Sequence, residues 1–539
     1  MEKKTTWRTP PAPIPETEIT KTLESEVVVV GAGHAGVSLA RTLAEEGVSV
    51  RVIETMVEKN YWAYGIDFGH INSDFLRSHG VPEVDEIEFF NDWQLRSGNR
   101  SNPRLVMQFV KNCGSCFDWL LEALTEEQKQ NVQIRYWPAP TKYSGNICGL
   151  KSWTGTATFP EELWHNKGIT EAVVASIQRA KALGADFHFS TVAQQLEKND
   201  ERVTAVIAKE RHGGYVRFRA TKGVVLAAGD FGHNEEMMRE LCDELVTLAA
   251  SPEQRITGLS RDGSGIRMGI WAGGRMVPGP IACMGGNTAA PNSPLFMATA
   301  TLWLDGDNRR FCNEGFGDSE FTGLEAARIK TPRLVNLFDS KVDDLLQRQP
   351  PIHGALWVNN PQDPRMATAM DYMEGARNAG KEGYAVKDPH APKGAEQPRL
   401  FAADSLEELA DLLGFQGQLK QNMLDSVARY NGFCATGRDE DFGKDRSLLV
   451  PLDTPPYYGM LTDRTQGGAM GPMVTVDGLW TDDHQQVYDQ NLDVIPGLYA
   501  TGNCCGRRFG VQYSTPVAGV SIGIAWTLGR ELGKYLAAL

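Results

Sequence analysis

The stretch Glu26-Val27-Val28-Val29-Val30-Gly31-Ala32-Gly33-His34-Ala35-Gly36, closed by Val52-Ile53-Glu54, leaves the chain little choice of fold. A β-branched apolar run feeds directly into Gly-x-Gly-x-x-Gly. Val37 to Glu46 then has helical composition, Gly47 ends the helix, and Val48 to Ile53 makes a second strand that closes on an acid. Each part of such a βαβ unit has a mechanical task in holding a dinucleotide. Gly31 turns the chain, Gly33 lets the backbone approach a pyrophosphate, Gly36 lets helix and strand pack, and the helix N-terminus faces the phosphates. Glu54, with Thr55 behind it, lies roughly 20 residues past the motif, where a ribose hydroxyl needs an acceptor. The unit alone leaves open whether the ligand is FAD or NAD.

A chain of 539 residues exceeds one ordinary hydrophobic core, so two or more domains are expected. Its 54 basic and 68 acidic residues give a net charge of -14, which argues against nucleic acid or an anionic membrane as partner. No apolar run approaches the roughly 18 residues of a membrane span; Val27 to Val30 and Val224 to Ala228 are strand-length. The start, residues 1–23, reads as a proline-bearing arm on the surface and lacks the apolar core of a secretory signal. Nine cysteines then point to reduced thiols and a cytoplasmic protein. Cys113-Gly114-Ser115-Cys116 has redox spacing, but the apolar run behind it favours a buried helix turn. The ten histidines are scattered, so no metal site is expected.

Along the chain, Asn60 to Lys167 reads as a long irregular stretch of the kind that lines a site. Gly168 to Leu183 has helical composition, Ala185 to Thr191 alternates like a strand, and Val203 to Lys209 with Val216 to Ala220 resembles a hairpin. Lys222 to Gly229 is a buried strand ending in glycine, followed by the turn composition Asp230-Phe231-Gly232-His233-Asn234. The same logic recurs in Gly497-Leu498-Tyr499-Ala500-Thr501-Gly502-Asn503, ahead of a last helix from Val517 to Leu536. Strands that end in glycine at both places would meet one cofactor. Residues 296–463 have a different texture, with charged helices and prolines, and read as a domain inserted between 24–295 and 464–539. The expected fold class is α/β, a Rossmann-like nucleotide-binding domain with an inserted α+β capping domain.

Four motifs in order make a resemblance specific. They are Val28-Val29-Val30-Gly31-Ala32-Gly33-x-Ala35-Gly36, Val224-Val225-Leu226-Ala227-Ala228-Gly229-Asp230-Phe231-Gly232-x-Asn234, Arg310-Phe311-Cys312-Asn313-Glu314 and Ile495-Pro496-Gly497-Leu498-Tyr499-Ala500-Thr501-Gly502-Asn503. From about residue 24 to its end the chain resembles the flavoproteins of the fumarate reductase and succinate dehydrogenase family, which includes the 3-ketosteroid dehydrogenases. The resemblance implies noncovalent FAD and hydride transfer between the flavin and one carbon of a C=C or CH-CH pair beside an electron-withdrawing group. It places cofactor contacts at Gly31, Gly33, Ala35, Gly36, Glu54 and Thr55, along the flavin at Gly69, Asn72 and Ser73, and also at Val192, Ala228, Gly229, Asp262, Gly502, Asn503, Val517 and Ala518. His70 departs from the small residues usual there, and its surroundings do not match the covalent attachment site of succinate dehydrogenases.

Departures from that family narrow the substrate. The carboxylate-binding arginine of the fumarate reductases is replaced by Tyr513, and the arginines that relay and donate protons have no counterpart after Glu314 or in Phe338-Asp339-Ser340-Lys341. Arg464 is the one cation at the position of a substrate histidine, and one guanidinium is a poor replacement for several. What remains resembles the ketosteroid branch. Gly502-Asn503 stands for Gly-Glu, and Tyr513-Ser514-Thr515-Pro516-Val517 resembles the turn in which a tyrosine and a backbone N–H hold a substrate carbonyl. A tyrosine is protonated at neutral pH and can strengthen its bond to a ketone oxygen as that oxygen becomes enolate-like.

The expected function is reduction of an α,β-unsaturated carbonyl, steroid-like or plant-phenolic, with Tyr513 and the Val517 amide on the oxygen and Glu314, Asp318 or Tyr64 as acid. Tyr64 and Arg464 are also candidate substrate contacts. For Glu314 a structural role in the cap stands equally open. The alternatives are a fumarate- or acrylate-type reductase anchored on Arg464 and Arg507-Arg508, a ketosteroid dehydrogenase working oxidatively, an oxygen-using flavoprotein, and a flavoprotein without turnover. The chain carries no haem or iron-sulfur spacing and no second nucleotide fingerprint, so the electron donor is expected to be external.

Overall fold

The computed structural model describes residues 6–134, 146–147, 150–151, 153, 155–247, 249, 252–258, 261–284, 300–316, 333–348, 364–386, 397–463, 469–513 and 516–539. Its first sheet is built on β1 (Ile19–Val30), α1 (His34–Glu45) and β2 (Val50–Ile53). Val27 to Val30 are buried on both faces, as a central parallel strand requires. β1 pairs in parallel with β2 on one side and with strand Tyr215–Leu226 on the other; Asp186–His188 extends the sheet beyond β2, and Val494–Ala500 extends it beyond Tyr215–Leu226. The registers Val30↔Leu226 and Leu226↔Ala500 bring three carboxyl ends into line. Three chain segments separated by hundreds of residues therefore end at one place, outside the strand ends where open α/β sheets bind ligands.

Tyr215–Leu226 is a single strand of 12 residues. Val216 to Ala220 pair antiparallel with Arg202–Glu210 while Gly223 to Leu226 pair with β1, so the hairpin and the buried strand expected from the sequence are one element. Nothing between Ala220 and Val224 breaks an extended chain. The stretch expected to be irregular contains a 19-residue helix, Pro103–Leu121. Asn102 caps it through the Arg104 amide, Pro103 opens it, and Leu105, Val106, Phe109, Val110, Cys113, Cys116 and Phe117 repeat at helical spacing on its buried face. Cys113 and Cys116 sit on that face, and burial pushes both thiols up to about 12.

The arm is docked. Trp7 is buried, its indole N–H donates to Glu240 at 2.5 Å, and its carbonyl accepts from Trp271 at 2.9 Å. The last helix, Val520–Ala538, lies against α1: Ser38 Oγ donates to the Trp526 carbonyl at 2.6 Å, and a Cβ at Gly529 would stand 2.5 Å from the Ala35 carbonyl.

A second, five-stranded antiparallel sheet runs Leu302–Leu304, Arg333–Asp339, Tyr457–Asp463, Arg399–Ala403, Tyr384–Ala385. Its two apolar faces form separate clusters, one around Phe338, Tyr458 and Met460 and one around Leu337, Leu409 and Tyr430. Among the described residues no helix is long and apolar enough to cross a membrane.

Candidate active site

The aligned strand ends open onto the N-terminus of α1. Gly31 has φ +107°, and a side chain there would meet the Ala227 carbonyl at 2.5 Å; a Cβ at Gly36 would lie 2.0 Å from the Gly31 carbonyl. No other residue type fits either position. Glu54 closes this loop from below: its carboxylate accepts the Ala32 and Met56 amides, each at 2.8 Å, and the Thr55 hydroxyl at 3.2 Å. A carboxylate has about four acceptor directions, so these bonds leave room for a ribose hydroxyl. Val192 stands next to Thr191, whose amide donates to the Glu54 carbonyl at 2.9 Å, and is 40 % exposed, an apolar side chain open beside the Glu54 loop. Tyr61 Oη donates to the Ala32 carbonyl at 2.5 Å, and burial with the Glu54 charge nearby raises its pKa.

Two groups at this end escaped the sequence reading. His34 opens α1; its Nδ1 accepts from Trp526 Nε1 at 3.0 Å, which fixes Nε2 as the protonated nitrogen, donating to the Tyr64 carbonyl at 2.8 Å. Burial lowers its pKa and keeps the ring neutral. Arg261 is exposed, lies close enough to His34 and Tyr61 for its charge to act on both, and has no carboxylate within ion-pairing distance among the described residues. Its backbone is fixed by Asp230 Oδ1, which accepts the Arg261 amide at 3.2 Å. A lone arginine ahead of Asp262-Gly263 carries no sequence signature; only the fold brings it near His34 at the start of α1. Asp262 is exposed and caps the following turn through the Ser264 amide at 3.0 Å.

The segment Asp67 to Ser73 runs in a slot between Pro103–Leu121 and the last helix. The Gly69 amide donates to the Gly519 carbonyl at 2.9 Å, and a Cβ on Gly69 would be 2.4 Å from the Ala518 carbonyl. Asn72 is taken up by both backbone groups of Val84, at 2.8 and 2.9 Å, and Ser73 caps helix Asp74–Ser78 through the Leu76 amide. His70 is fully buried and stacked on Phe117 at 4.1 Å; Nδ1 donates to the Phe68 carbonyl and Nε2 accepts from Ser73 Oγ at 2.8 Å. Burial pushes its pKa down to about 3.

Tyr513 sits at the head of the last helix. Its hydroxyl accepts the Ser521 amide, in the first turn, at 3.2 Å, and its ring packs edge-on against Phe509 at 4.8 Å, with Val517 in the same apolar cluster. Gly502 and Asn503 open a short turn one residue past Ala500, with Gly502 facing Ala35 and the Cys504 thiol donating to the Gly229 carbonyl at 3.1 Å. Burial holds Cys504 and Cys505 as thiols, at about 12 and 11, which suits small residues in a tight turn rather than a thiol relay. Arg507 and Arg508 diverge. Arg508 is fully buried behind Asn503, whereas Arg507 lines a cavity of about 230 Å³ with Arg100, Trp480 and Asp477. They do not form a joint carboxylate clamp.

Glu314 opens a short 3-10 turn, Glu314–Phe316, beside the second sheet. It is fully buried, with both oxygens on Arg310 at 2.9 and 2.8 Å; Arg310 also grips Asp439 at 3.0 and 2.8 Å, and Lys444, itself fully buried, lies 3.6 Å from Glu314. Arg310 with the Lys444 and Asp441 amides holds the Asp439 carboxyl at about 2 against burial, which raises it. Tyr64, by contrast, is 62 % exposed. Asp318 and Arg464 lie outside the described residues.

The glycine slots, the open Val192, the Glu54 loop and the cation over the α1 terminus fit an adenine dinucleotide with its pyrophosphate on the helix. Residues 26–522 match the family described as FAD binding domain. Over 534 residues the chain is 25% identical to a vinyl phenol reductase of Lactiplantibacillus plantarum, covering 95% of this chain and 96% of that one. It is 25% identical to a digoxin reductase of Eggerthella lenta, covering 96% and 87%. The fold is similar to that of a 3-ketosteroid-delta4-(5alpha)-dehydrogenase of Rhodococcus jostii, with TM-score 0.68 at 20% identity and coverage of 97% and 99%. Motif order, sheet topology and the match over 26–522 agree, and the chain belongs to the FAD binding domain family of flavoproteins.

Proposed function

We propose that this protein is an FAD-dependent ene reductase that reduces a C=C bond conjugated to an oxygen-bearing group, a carbonyl or a phenol, in a ring-bearing substrate. The full-length similarity to two reductases, one of them named for vinyl phenol, supports the reaction class. The observation that carries the reading is Tyr513. Its neutral hydroxyl, buried and oriented by the Ser521 amide at the head of the last helix, belongs to the residue that by resemblance replaces the carboxylate-binding arginine of the dicarboxylate enzymes. FAD, when bound, supplies hydride transfer to and from carbon.

The chain's own residues bind and polarise. The α1 terminus, Glu54, Arg261 and the exposed Val192 hold the nucleotide, and Gly69, Asn503, Val517 and Ala518 border the ring. The slot with Asn72 and Ser73 at its end fixes that border. Attachment is noncovalent, because both nitrogens of His70 are committed to Phe68 and Ser73. Tyr513 donates its proton to the substrate oxygen and stabilises the charge that grows there, a contribution worth about 10²–10³ in rate in comparable sites. Glu314 is a structural anion of the cap, since Arg310 occupies both its oxygens, so the proton for carbon falls to Tyr64 or Asp318. An external donor reduces the protein.

The test is anaerobic reoxidation of reduced viologen by the FAD-loaded protein with fumarate, a cinnamate-type acid, a vinyl phenol or a cyclic enone. Turnover of the phenol or enone without fumarate, lost in Tyr513→Phe, supports the reading. Turnover of fumarate or acrylates alone contradicts it and moves the anchor to Arg464.

A further inference from the structure

Arg508 is an unusual residue to find where it stands. It is fully buried, burial lowers its pKa, and no carboxylate pairs with it among the described residues. Its guanidinium donates instead to neutral oxygens: Nε to the Cys505 carbonyl at 3.0 Å, and Nη2 to the Val476 carbonyl at 2.9 Å and to Asn503 Oδ1 at 2.6 Å. A second anchor is the Arg508 carbonyl, which accepts from Trp93 Nε1 at 3.0 Å. The buried Asp477 carboxylate acts on the Arg508 charge from beyond ion-pairing distance, so the direct contacts of the guanidinium are directional bonds to neutral oxygens.

The bond to Asn503 is the informative one. A guanidinium has five N–H donors and no acceptor, so only the carbonyl oxygen of the Asn503 amide can face it. The amide nitrogen then points the opposite way. It has no hydrogen-bond partner among the described residues, and Asn503 is part exposed, in the turn between Ala35 and Gly229 at the aligned strand ends. The position is thereby held as a donor.

We infer that Arg508 is a positioning residue that locks the Asn503 amide with its N–H groups toward the cofactor, so that the chain offers a donor to an FAD oxygen. The inference rests on the reading of Asn503 as an FAD contact. It predicts that the two residues act as one unit. In holoprotein, Asn503→Ala and Arg508→Met each weaken FAD retention on the order of tenfold, measured by fluorescence of the flavin released on dilution, and shift the midpoint potential of the bound flavin in the same direction. The double variant is no weaker than either single one, because interacting residues are non-additive. Asn503→Asp keeps an acceptor for Arg508 but has no N–H, and it weakens FAD as much as Asn503→Ala. That variant tests the polarity even where Arg508→Met fails to fold.

Multiplying effects in the double variant, an unaltered Arg508→Met, or an Asn503→Asp protein that retains FAD like the unmodified chain would each overturn the inference. Should Asn503→Ala alter neither retention nor potential, the contact itself is wrong and the inference falls with it. A loss of ene reduction with FAD retention intact concerns the substrate reading only.

Discussion

The strand-end junction and the ion cluster of the second sheet treat polar groups in opposite ways. In the cluster, Arg310, Glu314, Asp439 and Lys444 are buried and answer one another in full. At the junction the polar groups are half answered: Glu54 keeps acceptor directions, Arg261 has no carboxylate partner, and Asn503 keeps an amide nitrogen. Charge density alone would have chosen the cluster as the site. Chemistry belongs where groups are ordered by the fold yet left incomplete for a ligand, and a closed set of ion pairs is a stabilising or specifying device.

The largest effect that can break this contrast is steric. Gly36→Val would push a side chain into the Gly31 carbonyl, which lies 2.0 Å from the Cβ position. FAD affinity should fall by on the order of a hundredfold or more, read by flavin retention on gel filtration, while the second sheet keeps its stability. Retained FAD would place the phosphates elsewhere.

Breaking the cluster should do the reverse. Glu314→Gln leaves Arg310 and Lys444 short of a buried counter-charge and is expected to cost about 3–5 kcal/mol of stability in denaturant melts. Turnover per folded, FAD-loaded molecule should change by less than about tenfold. A folded protein that has lost turnover by more than a thousandfold would make Glu314 the acid.

Arg261→Ala sharpens the junction. It should weaken FAD binding by about tenfold and flatten the salt dependence of that binding, because an exposed cation acts through a screened field. An unchanged salt dependence would remove Arg261 from the phosphates.

The smallest effect concerns His70. Its folded pKa is about 3 against 6.5 when unfolded, owing to burial. Between those values the unfolded chain takes up a proton that the folded chain refuses, so this residue withdraws stability as pH falls from 6.5 toward 3. Asp477, raised by burial to about 6, works in the opposite sense over part of that window, and it is common to both proteins being compared. His70→Phe keeps the stack on Phe117 and should show a flatter acid limb of Tm against pH than the unmodified chain. An identical limb would mean that His70 titrates normally.

The βαβ unit, the strand ends at Gly229 and Gly502 and the family itself were legible because each rests on local rules: β-branched runs, glycines at fixed offsets, an acid at the right distance. Helix Pro103–Leu121 carried an equally local signal, in its Asn-Pro start and apolar period, that compositional bias around it obscured. Arg261, His34 and Arg508 were not legible in principle. Their meaning comes from which groups the fold sets opposite them: His34 meets Tyr64 and Trp526 across 30 and 492 residues, and Arg508 reaches both Val476, 32 residues back, and Asn503, only five back, in a turn whose shape no spacing encodes. Glu314 shows the converse: its motif carries part of the resemblance, while the proposal that it is an anchor and not an acid rests on the bidentate contact to Arg310, which only the fold displays.

The central claim is that Tyr513 polarises the substrate oxygen while FAD is held independently of it. It is tested most directly by single-turnover flavin reoxidation, followed at 450 nm after anaerobic mixing of the reduced holoprotein with a vinyl phenol or cyclic enone that it turns over. The account predicts that Tyr513→Phe retains FAD and reoxidises about 10²–10³ times more slowly. Reoxidation within a few-fold of the unmodified protein would contradict it and leave Tyr513 as a packing residue at the head of the last helix.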